Sequence, residues 1–271
     1  MNIVFFQAAF FLYFIGAGVS LAHLVTLRPG LARIGRGFLA GGLALHSLAI
    51  LWRIFESGRT PLTNLHEALS FFAWATIGVY FLLHFKFRLE VLGAFVSPVA
   101  VVLMVLASLV PKEIVPVEPI LNSFWLPIHV SLAIIGNAMF ALAFAAGVMY
   151  LIQERQIKSK KIGVFYRRLP ALQVLDDLNY RCLTLGFPLL TLGIITGSIW
   201  AESAWGTYWS WDPKQTWSLI TWFIYAALLH GRLTVGWRGR RAATFAVVGF
   251  FFLVFTFLGV NLLLSGPHGF K

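Results

Sequence analysis

PILNSFWLPIHVSLAIIGNAMFALAFAAGVMYLIQ, residues 119–153, contains no charged side chain. A run this long and apolar crosses the hydrocarbon layer of a bilayer, which takes roughly 17–25 apolar residues as a helix. In lipid the backbone must bond to itself, so the run is a helix unless it closes a barrel. Barrel strands would be about ten residues long and would alternate in polarity, and this run does neither. Uncharged runs recur at 1–27, 37–52, 68–85, 91–111, 182–201, 215–231 and 242–270. Of the 271 residues, 59% are hydrophobic and only 11% charged, whereas a soluble globule carries about a quarter charged. The predicted fold class is an all-α integral membrane protein with about eight transmembrane helices. They are placed near 3–27, 38–54, 67–85, 91–110, 127–152, 181–200, 215–231 and 243–264. No repeat or low-complexity tract divides the chain, so residues 1–271 are expected to form a single polytopic domain.

The first run is expected to be a span and not a cleaved signal. It has no basic n-region, continues to Arg28, and lacks a small-residue cleavage site after a short apolar core. One cysteine, Cys182, allows no internal disulfide and no CxxC site. It reads as a small apolar residue buried in a helix.

The net charge of +11 is explained by placement, without nucleic acid. Arg28, Arg33 and Arg36, then Lys86 and Arg88, fall in alternate connections. With them go Arg155, Lys158, Lys160, Lys161, Arg167, Arg168 and Arg181, and finally Arg232, Arg238, Arg240 and Arg241. Only Arg53, Arg59, Lys112, Lys214 and Lys271 fall in the others. The positive-inside rule assigns the larger set to the cytoplasm, so both termini and segment 201–214 are expected outside. The longest inner loop, 153–180, contains LPALQVLDDLNY, in which Leu172, Leu175 and Leu178 share a helical face. It reads either as a short interfacial helix or as a solvated connector against anionic lipid.

Six of the ten tryptophans lie in IWAESAWGTYWSWDPKQTWSLITW, residues 199–222. An interfacial aromatic belt would distribute them over all the span ends. Their concentration at 200–217 instead suggests a platform of stiff aromatic faces for a planar ligand at the membrane surface. Asp212-Pro213-Lys214-Gln215 is a helix start, with Asp212 as N-cap, proline at the first helical position and glutamine at the third. The capped end directs backbone N–H groups and partial positive charge outward. With Lys214, it is a candidate receiver for a carboxylate.

WGTYWSWDPKQTWSLITW (205–222) resembles the tryptophan-rich "WWD" signature of the cytochrome c assembly proteins. The wording after the tryptophans is similar to the haem-handling subunit of the System II pathway, more than to the System I relatives CcmC and CcmF. PLTNLHEALSFFAW (61–74), LPIHVSLAIIGNAMF (126–140), LDDLNYR (175–181) and GVNLLLSGPHGF (259–270) resemble the same family, so the likeness covers nearly the whole chain. It implies a protein of the bacterial cytoplasmic or a thylakoid-like membrane. Haem b, carried as substrate, would be presented at the outer face for attachment to the CxxCH motif of apocytochrome c. A CcsB- or ResB-type companion subunit is implied, with haem lyase activity expected only in that complex. The alternative is a haem exporter of the CcmC kind, which hands haem to a separate chaperone without ligation.

Seven histidines are available as iron ligands. Imidazole is the usual axial ligand of haem, and ionisable groups within spans are functional candidates. His23 and His46 read as helix-packing hydrogen-bond partners. His66, behind an Asn64 cap, reads as structural. His129 opens span five and His268 follows span eight, both on the side of the tryptophans. The family resemblance assigns two such outer histidines to haem iron, with Trp205, Trp209, Trp211 and Asp212 around them. His230 lies 14 residues beyond Thr216, about 21 Å along a helix, too far to share that haem. The resemblance implies an inner site there, completed by the companion subunit, with His84 a weaker inner candidate. The candidate metal ligands are therefore His129, His268 and His230. The candidate propionate partners are Arg59, Lys112 and Lys214.

Overall fold

A computed structural model of the chain describes residues 1–114, 123–160 and 166–260. Eight α-helices follow in order: α1 Asn2–Thr26, α2 Pro29–Ser57, α3 Leu65–Phe87, α4 Leu92–Leu109, α5 Trp125–Lys158, α6 Leu172–Trp205, α7 Pro213–Thr234 and α8 Arg240–Val254. A π-helical turn, Phe255–Gly259, continues α8. There is no strand among the described residues. Among the described residues, seven helices are long and apolar enough to cross a membrane: α1 to α6, and α8 together with its π turn. The exception, α7, carries Lys214, Gln215, Thr216, Ser218, Thr221, His230 and Arg232 within 22 residues.

Local chemistry sets the ends. Pro29 occupies the first turn of α2, whose end is capped by Gly58 at φ 68°. The Asn64 side chain accepts from Glu67 N at 2.8 Å, which makes it the α3 cap that the sequence suggests. Gly206, at φ 72°, stops α6 by returning its N–H to Glu202 O. Pro98 and Pro188 stand inside α4 and α6, as membrane helices tolerate where neighbours re-satisfy the backbone.

Contacts between helix ends show strict up-and-down alternation. At one pole the Met1 amine meets Glu56, Arg53 Nη1 donates to Lys112 O, and His66 Nδ1 donates to Ala107 O. His129 reaches α6, and Trp217 meets Phe255, at this same pole. At the other, Arg168 donates to Leu24 O, Arg36 pairs with Glu90, and Asp176 holds Arg232 and Gly239 N. The first pole collects the tryptophan segment and the second the basic connections. Because α7 begins at the first pole and ends at the second, it runs the same course as its neighbours.

Two elements differ from expectation. LPALQVLDDLNY is neither a separate interfacial helix nor a solvated connector: from Leu172 onward it is the start of α6. Leu175, Leu178, Asn179, Cys182, Leu183 and Gly186 form one buried stripe through Arg181, with no breaker to end the helix. Likewise, α5 runs on to Lys158, which shortens the loop. Cys182 is fully buried in that stripe, as expected.

A close backbone seam joins α5 and α6. A Cβ on Gly136 would stand 3.0 Å from Leu190 N, and one on Gly193 3.1 Å from Ala133 Cα. Without a hydrophobic drive between helices in lipid, small residues that let backbones approach supply the packing. Around it the middle of α5 is closed, with residues 138–143 all buried.

Candidate functional site

The glycine seam controls the position of His129. At the tryptophan pole it brings α5 close enough for His129 Nδ1 to donate to Gly193 O at 2.6 Å. A carbonyl only accepts, so Nδ1 carries a proton, and in the neutral ring Nε2 then carries the lone pair. Metal-binding histidines are oriented in this way, by donating the other ring N–H to a backbone carbonyl. Gly197 forms the floor, since a Cβ there would lie 2.5 Å from both His129 Cε1 and Nδ1. The ring lies parallel to buried Trp200, with centroids 6.4 Å apart and planes 13° from parallel. Trp205 meets Trp200 edge to face at 4.8 Å and 71°.

The segment between α6 and α7 carries the second aromatic pair. Trp209 and Trp211 stand edge to face at 5.8 Å and 83°. The rings therefore face several directions and do not tile one plane. Trp211 is 69% exposed and has φ 56°, a left-handed backbone that costs a non-glycine residue about 1–2 kcal/mol. Leu27 and Arg88 share that conformation as helix C-caps, whereas Trp211 directly precedes an N-cap. The Trp209 indole nitrogen is buried with no hydrogen-bond partner among the described residues.

Asp212 caps α7, accepting from Lys214 N at 2.8 Å and Gln215 N at 3.1 Å. Gln215 does not reach back to the N-cap backbone as in a standard capping box. Its Oε1 accepts from Ser210 N at 2.8 Å, and Ser210 Oγ donates to Asp212 at 3.1 Å. Asp212→Ala is expected to lower stability by about 1 kcal/mol through loss of the cap. Asp212→Asn should recover most of it, as read from thermal unfolding of the purified protein.

Around this group the helix ends are only partly covered. Residues 127–133 of α5 are all half-buried, as are 213–220 of α7 and 254–259 at the end of α8. Seven consecutive residues cover every side of a helix. The α5 tip is therefore partly accessible on every side. At the end of α8 the π turn packs on α7, with Thr256 bonded to Thr221 Oγ1 at 2.8 Å and Phe255 against Trp217 at 4.5 Å.

The remaining histidines separate. His46 Nε2 bonds Ser70 Oγ at 2.8 Å between α2 and α3, and His66 holds Ala107 O at 2.8 Å, both packing roles as expected. His23 differs from a helix-packing partner: its Nδ1 bonds Arg28 O at 3.0 Å across the turn ending α1. His230 is exposed near the end of α7, at the pole opposite His129. It shares an exposed face with Phe223 and Leu233. His268 lies outside the described residues. Of the propionate candidates, Arg59 is engaged by Glu67 and Thr63, and Lys112 O accepts from Arg53. Sequence reasoning did not single out Gly193, Gly197 or Trp200. The spacing of Gly186, Gly193 and Gly197 on one face of α6 was the available signal.

The Cytochrome C assembly protein family model matches residues 62–268, three-quarters of the chain and all of the tryptophan segment. The chain belongs to the cytochrome c assembly protein family. Similar members include "Cytochrome c biogenesis protein CcsA" of Chlamydomonas reinhardtii, 41% identical over 82% of this chain and 64% of that protein. The CcsA of Guillardia theta is 39% identical over 80% and 79%, and that of Gloeobacter violaceus 34% over 89% and 87%. Among solved structures, "Cytochrome c Heme Lyase CcmF" superposes with a TM-score of 0.70 at 18% identity, covering 99% of this chain and 47% of that one. The family's helical fold is thus shared with a protein of about twice the length.

Proposed function

We propose that this family member presents haem at the tryptophan pole for covalent attachment to apocytochrome c. The observation that carries this reading is the His129 seat: an imidazole held by Gly193 O and stacked on Trp200, on the partly accessible tip of α5. The buried indole N–H of Trp209, without a hydrogen-bond partner among the described residues, supplies a further polar contact for a propionate-bearing ligand. His268 completes a bis-imidazole pair with His129. The tryptophan pole faces outward, α7 spans the membrane to complete the eight spans, and both termini lie outside, a reading supported by the basic charge of the opposite pole. The names of the CcsA relatives and of CcmF support cytochrome c maturation as the setting.

In this scheme the chain acts by positioning. His129 and His268 hold the iron, Gly193 O maintains the tautomer, and the aromatic walls exclude water. The CxxCH thiols add across the haem vinyl groups, each S–C bond forming as the thiol proton passes to the other vinyl carbon. At the basic pole, His230 faces outward from the bundle, where a ligand from a CcsB-type companion subunit reaches it.

The experiment co-expresses the chain and its companion with a CxxCH reporter in cells lacking their own maturation pathway. The reporter is expected to acquire covalent haem, and an AxxAH version to acquire none. His230→Ala should abolish maturation, and added haem should restore it. Equal maturation without this chain overturns the reading, and failure of added haem removes His230 as a way station. Gly197→Ala must displace the His129 ring and its bond to Gly193 O. Haem affinity is expected to fall about 10- to 100-fold, as for loss of a supporting partner, measured by haem titration of the purified complex.

A further inference from the structure

At the basic pole α5 and α8 meet at Gly147, where a Cβ would stand 2.9 Å from Ala243 O. Beyond that contact a cavity of about 680 Å³ separates them, lined by Leu151, Glu154, Arg155, Lys158, Arg240 and Thr244 among others. Its rim has three cations against one carboxylate. Glu154 Oε1 accepts from Lys158 Nζ at 2.8 Å, and Oε2 faces Arg240 Nε at 3.8 Å. Arg155 has no carboxylate partner among the described residues. A rim with excess positive charge above an apolar wall residue, between the ends of two membrane-length helices, suits an amphipathic anion.

We propose that this α5–α8 cleft binds the phosphodiester headgroup of an anionic membrane lipid of the phosphatidylglycerol class, through Arg155, Lys158 and Arg240. Leu151 and the adjoining helix faces receive the upper acyl chain. Basic pockets between helices at the cytoplasmic level of a membrane are suited to such headgroups. A free phosphate would use the same cations and leave the apolar wall without a role. The proposal does not depend on the haem reading, because the cleft lies at the pole opposite His129.

The test is thermal unfolding of the full-length chain, purified and delipidated in a neutral detergent. The additions are dioleoyl phosphatidylglycerol, dioleoyl phosphatidylcholine or inorganic phosphate. Phosphatidylglycerol is expected to raise the unfolding temperature by roughly 5 °C or more at saturation, with little change from the other two. The gain should vanish in an Arg155→Gln, Lys158→Gln, Arg240→Gln variant. It should persist in an Arg28→Gln, Arg33→Gln, Lys86→Gln variant, which removes equal charge elsewhere at the same pole. An equal shift from phosphatidylcholine, an equal shift from phosphate, an undiminished response in the cleft variant or equal loss in the distal variant overturns it. Should the triple cleft variant not fold, Arg155→Gln alone decides. Fewer co-purifying phosphatidylglycerol molecules by native mass spectrometry support the site, and an unchanged number refutes it.

Discussion

Replacing His129 with alanine is expected to cut the yield of covalently haem-loaded cytochrome c by more than about 100-fold. Loss of a residue that merely orients a ligand costs about 10–100-fold in metal affinity, and His129 is the ligand itself in this account. The bundle should survive the change. His129 is half-buried, and its helix is anchored lower down by the Gly136–Gly186 seam and the closed stretch 138–143. Stability and activity therefore separate at this residue. The contrast is His46→Ala or His66→Ala. Those side chains are buried and bonded to Ser70 and Ala107 O, and their loss should lower the unfolding temperature while leaving haem transfer per folded molecule intact. Haem staining of the reporter, normalised to membrane-inserted protein, distinguishes the two patterns. A His129→Ala protein that matures the reporter like wild type removes the ligand assignment.

The second large effect concerns folding. Glu67 is buried at the start of α3, and one carboxylate serves several groups. Its Oε1 accepts from Arg53 Nε at 2.8 Å, and its Oε2 accepts from Thr63 N at 2.9 Å and faces Arg59 at 3.4 Å. Arg53 in turn donates to Lys112 O, which ties α2, α3 and the end of α4 together. Removing the carboxylate leaves a nearly buried guanidinium without its counter-charge. Breaking such a pair by deleting one partner costs about 3–5 kcal/mol, a large share of the roughly 5–15 kcal/mol that holds a domain folded. Glu67→Ala is expected to show that loss in detergent unfolding. Glu67→Gln, which retains an acceptor for Thr63 N, should lose less. Equal stability of Glu67→Ala and wild type would contradict the placement of this network.

Much of the fold was legible because lipid narrows the choices. Eight helices follow from uncharged runs and the demand for internal backbone bonds. The charge alternation between connections is the same alternation that the helix-end contacts show. Helix boundaries were less legible. Residues 172–180 read as an interfacial helix or a solvated connector, but Asp176 pairs with Arg232, and Asn179 donates to Ala143 O inside the bundle. Sequence hydropathy does not reveal partners brought from 56 and 36 residues away. For the site, the Asp212 cap was readable from four consecutive residues. The seat of His129 was not, because it depends on glycines 64 and 68 positions further along, on another helix. Edge-to-face tryptophan packing was equally hidden, since composition gives ring types without ring angles.

The central claim is that His129 ligates haem iron at the tryptophan pole. The direct measurement is the absorption spectrum, oxidised and reduced, of purified wild type beside His129→Gly, before and after imidazole is added. The account predicts a six-coordinate, low-spin bis-imidazole spectrum for wild type. It predicts that this spectrum is lost in the variant and restored when free imidazole fills the vacated position. A His129→Gly protein whose spectrum matches wild type without imidazole would contradict it.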